Sequence, residues 1–125
     1  MNKETYSYGR QLIDNQDIEE VCSVLRSDFL SQGPKLSEFE DKVAEYCGAK
    51  YCVALSNGTA ALHLACEVLG ISSGDTGWTS PLSFVASANC IRYCGANVDF
   101  IDIDADTFNI SPANVKNKFE QAKRE

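Results

Sequence analysis

Positive charge is scarce in this chain: 11 Lys and Arg stand against 18 Asp and Glu, a formal net charge of −7 over 125 residues. A balance that acidic gives no general electrostatic footprint for nucleic acid or an anionic membrane. A local anion site stays open, because backbone N–H groups at a helix start bind phosphate without any lysine. Long hydrophobic runs are also missing, since nothing approaches the roughly 18 apolar residues that a membrane helix needs. The opening stretch, Met1 to Arg10, is polar and lacks the apolar core of a signal peptide, so a cytoplasmic protein is expected. Histidine occurs once, as His63, and no C-x-x-C pair is present, so a zinc site is poorly supplied and no metal is expected. G-x-G-x-x-G and G-K-[ST] are both absent, which excludes a dinucleotide fingerprint and a P-loop.

What is present reads as an ordinary globular chain. Its hydrophobic share is 44% and its charged share 23%, which excludes disorder, collagen-like repeats and low complexity. The length suits about one domain, and neither an internal repeat nor a Pro/Gly/Ser-rich linker interrupts it. Six cysteines, without a secretory signal, read as thiols packed as small hydrophobes rather than as a disulfide framework.

The hydrophobic pattern predicts a helix from Asp14 to Arg26, capped by Asp14, with Ile18, Val21, Cys22 and Leu25 on one face. The turn Ser31-Gln32-Gly33-Pro34 follows. A second helix carries Leu36, Phe39, Val43 and Tyr46 and stops at Gly48. Beyond it strands and helices alternate: a buried strand over 50–55, a helix over 59–69, a weaker strand over 77–80, a helix over 84–94, a strand over 97–103 and a helix from Asn114. That order implies crossover units on a mostly parallel sheet, an α/β fold with about three strands.

Two loops carry candidate chemistry. Ser56-Asn57-Gly58-Thr59 joins an apolar run to a helix start, where unpaired N–H groups and the helix dipole favour an anion. Gly58 allows close approach, and Ser56, Asn57 and Thr59 add side-chain donors. From the local pattern, a phosphate cradle and a plain cap by Asn57 or Ser56 stand level. Ser80-Pro81-Leu82-Ser83-Phe84 is the second loop, at the same carboxyl edge if the strands are parallel. Ser83 is the expected cap there; Phe84 could stack on a planar ring, although the local pattern favours a core phenylalanine. Asp102, Asp104 and Asp106 resemble the start of a calcium loop, but Thr107 and Ala113 stand where such a loop needs Gly and Glu, so it is rejected. His63, inside a helix, is expected to be structural.

Taken together, these stretches resemble the DegT/StrS-type sugar aminotransferases, pyridoxal-phosphate enzymes that aminate keto-sugar nucleotides. The resemblance rests on Asp17–Val21, Leu30–Pro34, Phe39-Glu40, Tyr46–Tyr51, Ser56–Leu64, Ser80–Cys94 and Val98–Asp104. Trp78–Pro81 with Phe84–Cys90 is most similar to a subgroup working in pseudaminic acid-type nucleotide-sugar biosynthesis. The resemblance implies the N-terminal part of an aspartate-aminotransferase-type (fold type I) large domain, with a helical arm and substrate-proximal turn over 1–35 and the first part of the cofactor domain over 36–125. It implies pyridoxal 5'-phosphate held at Gly58 and Thr59, with Phe84 on its ring, and Tyr8, Ser31, Gln32 and Gly33 near the substrate. Its implied partners are a UDP-linked 4-keto-6-deoxy amino sugar, an amino-acid donor such as glutamate, and a second copy in a homodimer. The Schiff-base lysine and the acidic partner of the ring nitrogen are expected beyond Glu125, which would leave this chain alone inactive and poorly folded. Two other readings stand beside it: a sugar dehydratase of the same fold, and a non-catalytic remnant with only a phosphate-binding or self-association surface.

Overall fold

The computed structural model describes residues 9–123. The chain divides into two compact units, Met1–Ala54 and Leu55–Glu125.

The first unit holds helices α1 (Asn15–Leu25) and α2 (Pro34–Cys47). Asp14 caps α1 as expected: its carboxylate accepts from the N–H groups of Gln16 and Asp17, while Asp17 accepts from the Asp14 N–H, a reciprocal capping box. Pro34 opens α2, where its missing N–H costs nothing, and Gly48 closes it at φ 64°, the left-handed conformation that favours glycine. The expected apolar stripes form on both helices, yet Ile18, Val21, Leu25 and Phe39 stay more than half exposed. Charge ties the helices together instead. Lys35 Nζ lies 2.7 Å from Glu20 of α1 and 2.9 Å from Glu38, and Lys42 approaches Glu38 at 2.7 Å.

The apolar run over 50–55 does not form the expected strand. It carries no regular secondary structure, with Tyr51 and Val53 exposed, and its Ala54 N–H donates to Glu40 Oε1 at 2.8 Å. Apolar content favours a strand only where a ladder partner is available, and among the described residues this run has none.

In the second unit, α3 (Gly58–Val68), β1 (Thr76–Thr79), α4 (Ala86–Tyr93), β2 (Asn97–Phe100) and α5 (Pro112–Ala122) follow in order. β1 and β2 pair in parallel, Thr76 opposite Asn97 and Thr79 opposite Phe100, with α4 as their crossover. The described sheet therefore has two strands rather than three. β2 also stops short of residue 103, because the chain turns back: Ile103 bridges Ile110 antiparallel, and the Asp104 carboxylate organises the loop by accepting from Asp106 and Thr107. α4 starts two residues later than expected. Ser83 does not cap it, because its hydroxyl pairs with that of Ser87 at 2.8 Å.

The core is small and built around thiols. Cys66, Cys90, Ile91 and Ala96 are buried, with Ile71, Cys94 and Val98 packed against them. Three of the six cysteines thus behave as expected, whereas Cys47 is exposed. α4 lies so close to β1 that a Cβ on Gly77 would stand 2.6 Å from Ile91 Cδ1 and 2.9 Å from Cγ1 and Cγ2. α5 is fastened to β2 by Lys118, which pairs with Asp99 and donates to the Phe100 carbonyl at 2.9 Å. That ammonium, more than any other group, holds the Asp99 carboxyl below its usual range.

Gly77→Ala should cost about 1–3 kcal/mol, since Ile91 is buried and cannot retreat without strain; a thermal melt beside the wild type checks this. In the first unit, hydrogen bonds from Lys42 and then Lys35 hold the Glu38 carboxyl down at about 2, against an ordinary 4.5. A depressed carboxyl stabilises the folded state above its unfolded value and loses that contribution as pH falls through the folded one. The Glu38 resonance should therefore titrate near 2, and added salt should raise it toward 4.5.

Candidate functional site

The sheet topology fixes which loops share an edge. α4 leaves the carboxyl end of β1 and delivers the chain to the amino end of β2. The later half of α3 packs beside the end of α4, where His63 meets Tyr93 with ring centroids 5.2 Å apart. The first turns of both helices accordingly lie on the carboxyl side of the sheet, the side on which open α/β sheets bind ligands.

At the first turn of α3, Asn57 is the cap. Its side-chain oxygen accepts the Ala60 N–H at 2.9 Å, and its carbonyl accepts the Ala61 N–H at 3.1 Å. The Asn57 amide is turned to Ser56 Oγ, so this residue serves the helix rather than offering a donor to a ligand. Capping leaves a remainder. The Gly58 and Thr59 N–H groups have no partner among the described residues, and neither does the Thr59 hydroxyl. Gly58 has open space where a Cβ would stand. Two free N–H groups, one hydroxyl and the positive end of an 11-residue helix make a donor set suited to a phosphate dianion.

The second loop presents Phe84, which is 74% exposed in this chain rather than part of its small core. Ser80 Oγ accepts the Leu82 N–H at 3.2 Å and folds the loop before the helix begins. An exposed aromatic ring together with a turn of unpaired N–H groups would suit a flat, phosphorylated ligand.

Of the residues expected near a substrate, Tyr8 lies outside the described residues. Ser31, Gln32 and Gly33 form the turn before α2 and line a cavity of about 340 Å³ with Phe29 and Leu36. Gln32 adopts φ 53°, and a Cβ on Gly33 would stand 2.7 Å from that of Phe29, so the turn admits little change. Lys118 was legible only as one of seven lysines without a motif; the fold places it against Asp99, with its ammonium 6.0 Å from the Trp78 ring centre.

A helix start with unpaired amides and an exposed aromatic loop, on a parallel α/β scaffold, is a layout compatible with an enzyme that holds a phosphorylated ring cofactor. Residues 11–124 match the model of the DegT/DnrJ/EryC1/StrS aminotransferase family, and the chain belongs to that family. It is 45% identical to the spore coat polysaccharide biosynthesis protein SpsC of Bacillus subtilis over 87% of this chain and 28% of that protein. With UDP-4-amino-4,6-dideoxy-N-acetyl-beta-L-altrosamine transaminase of Campylobacter jejuni it shares 41% identity over 80% of this chain and 26% of that one. Spr1654 from Streptococcus pneumoniae, solved in PLP and PMP forms, superposes with TM-score 0.81 at 33% identity, covering 84% of this chain. The matched part is 27% of the PLP-form chain and 26% of the PMP-form chain. The chain thus spans little more than a quarter of the length of these relatives.

Proposed function

We propose that this chain supplies the phosphate and ring contacts of a pyridoxal-phosphate sugar aminotransferase, acting on a UDP-linked 4-keto-6-deoxy amino sugar of the pseudaminic acid type. The observation that carries the reading is the pair of unpartnered N–H groups at Gly58 and Thr59, left free by a cap that Asn57 already completes. Similarity to the altrosamine transaminase supports the sugar class, and the PLP and PMP forms of the pneumococcal relative support the cofactor.

When bound, the cofactor acts as an electron sink for amino-group transfer. In this reading the residues of the chain bind and orient. The Gly58 and Thr59 amides and the Thr59 hydroxyl hold the phosphate and so fix one end of the ring. Phe84 covers one face of the ring and keeps water from it. Ser31, Gln32 and Gly33, with Tyr8, face the sugar nucleotide, and glutamate is the proposed amino donor. The catalytic lysine is not assigned to any lysine of this chain; Lys35, Lys42 and Lys118 are occupied by Glu20, Glu38 and Asp99. The 125 residues by themselves are proposed to be inactive, and the working enzyme to be a cytoplasmic homodimer.

Thr59→Val, in a protein carrying the complete family domain, should remove a charge-assisted hydrogen bond worth about 1.5–3 kcal/mol and weaken PLP affinity about ten- to hundredfold. Titrating the apoprotein measures this, and unchanged affinity would remove Thr59 from the cradle. Phe84→Ala should loosen PLP more than Phe84→Tyr, which keeps the aromatic face. A ring whose role is to stack on the cofactor should leave both apo variants melting close to the wild type. A large loss of melting temperature with unchanged PLP affinity would make the ring structural instead.

A further inference from the structure

Three ligand-bearing side chains that no local motif links come together on the flank of the second unit. His63 and Glu67 stand one turn apart on the same face of α3, and Cys94 caps the end of α4 beside them. The His63 ring nitrogen, a Glu67 carboxylate oxygen and the Cys94 sulfur all lie within 4.8 Å of one another. We propose that His63, Glu67 and Cys94 form a site for one zinc-class divalent cation, apart from the cofactor cradle at the start of α3.

The histidine gives the strongest indication. His63 Nε2 is shielded from solvent and has no hydrogen-bond partner, although Glu67 Oε1 is only 3.4 Å away. The two groups stand as an i,i+4 ion pair when the imidazole is protonated, spaced too far apart for a well-formed hydrogen bond. Their separation matches a tetrahedral edge, since metal–ligand bonds of about 2.0–2.1 Å set nitrogen and oxygen about 3.4 Å apart. The Tyr93 ring, edge-on to His63 at an interplanar angle of 63°, fixes the imidazole plane.

The donor set selects the ion. Nitrogen, sulfur and one carboxylate oxygen suit zinc and its neighbours, whereas calcium and magnesium prefer oxygen throughout. Coordination by Cys94 requires its thiol to give up a proton, which passes to solvent; the resulting thiolate and the Glu67 carboxylate together offset the dication. Three protein ligands leave a fourth position for water.

The test uses a reduced protein carrying the complete family domain, under anaerobic conditions, titrated with zinc and with cobalt(II) as a spectroscopic substitute. One zinc should bind per chain, and cobalt should give a sulfur-to-metal charge-transfer band with the strong visible absorption of four-coordination. His63→Gln, Glu67→Gln and Cys94→Ser should each weaken zinc by at least about tenfold, as should urea, while Cys47→Ser should change nothing. Absence of stoichiometric binding, equal affinity across these variants, or equal affinity in urea would each overturn the proposal. Should a variant fail to fold, the wild-type cobalt spectrum decides: octahedral cobalt without the sulfur band would likewise overturn it.

Discussion

The close contact between β1 and α4 governs the second unit. Gly77 faces Ile91, and three carbons of that side chain occupy the space in which any larger residue would need to place its Cβ. Because the strand lacks a side chain there, the crossover helix settles directly onto the sheet and Ile91 is buried. A parallel pair requires such a crossover, and how deeply it seats determines where the helix ends point. β2, delivered by α4, then pairs in the register that sets Thr79 opposite Phe100.

That seating also places α3. Cys66 meets Cys90 and Cys94, small side chains that let two helices lie close with little apolar bulk between them. Burial is the main cause, with the Cys90 thiol next, that pushes the Cys66 thiol up to about 11, so it packs as an inert hydrophobe. With the later half of α3 held by this contact, its first turn is left free on the carboxyl side. Asn57 finishes the cap from its own side chain, and the Gly58 and Thr59 amides remain available. Capping by Asn57 therefore leaves other atoms of the same turn available to a ligand.

Much of this was legible in the sequence, for identifiable reasons. Asp14 and Gly48 announce helix ends through local chemistry, and the structure finds each doing that job, whereas Pro34, read as the end of a turn, opens α2. Likewise the α/β alternation followed from periodicity. Misreadings arose where a distant partner decides the outcome. The run over 50–55 has the composition of a strand but no ladder partner among the described residues. Ser83 has the chemistry of a cap, yet Ser87 takes its hydroxyl. Phe84 reads as core by hydrophobicity and is exposed in this chain, on the loop that Ser80 folds ahead of α4. The approach of Cys94 to His63 and Glu67 joins residues 27 to 31 positions apart and left no local trace.

The central claim is that the first turn of α3 binds a phosphate through two backbone amides. Amide chemical shifts read those groups directly. In ¹⁵N-labelled protein titrated with PLP, the Gly58 and Thr59 amide protons should move downfield together and saturate at one equivalent, with the Ala60 amide, already bonded to Asn57, moving less. Saturation of the cofactor with the Gly58 and Thr59 resonances unmoved, and the shifts concentrated elsewhere, would contradict the account.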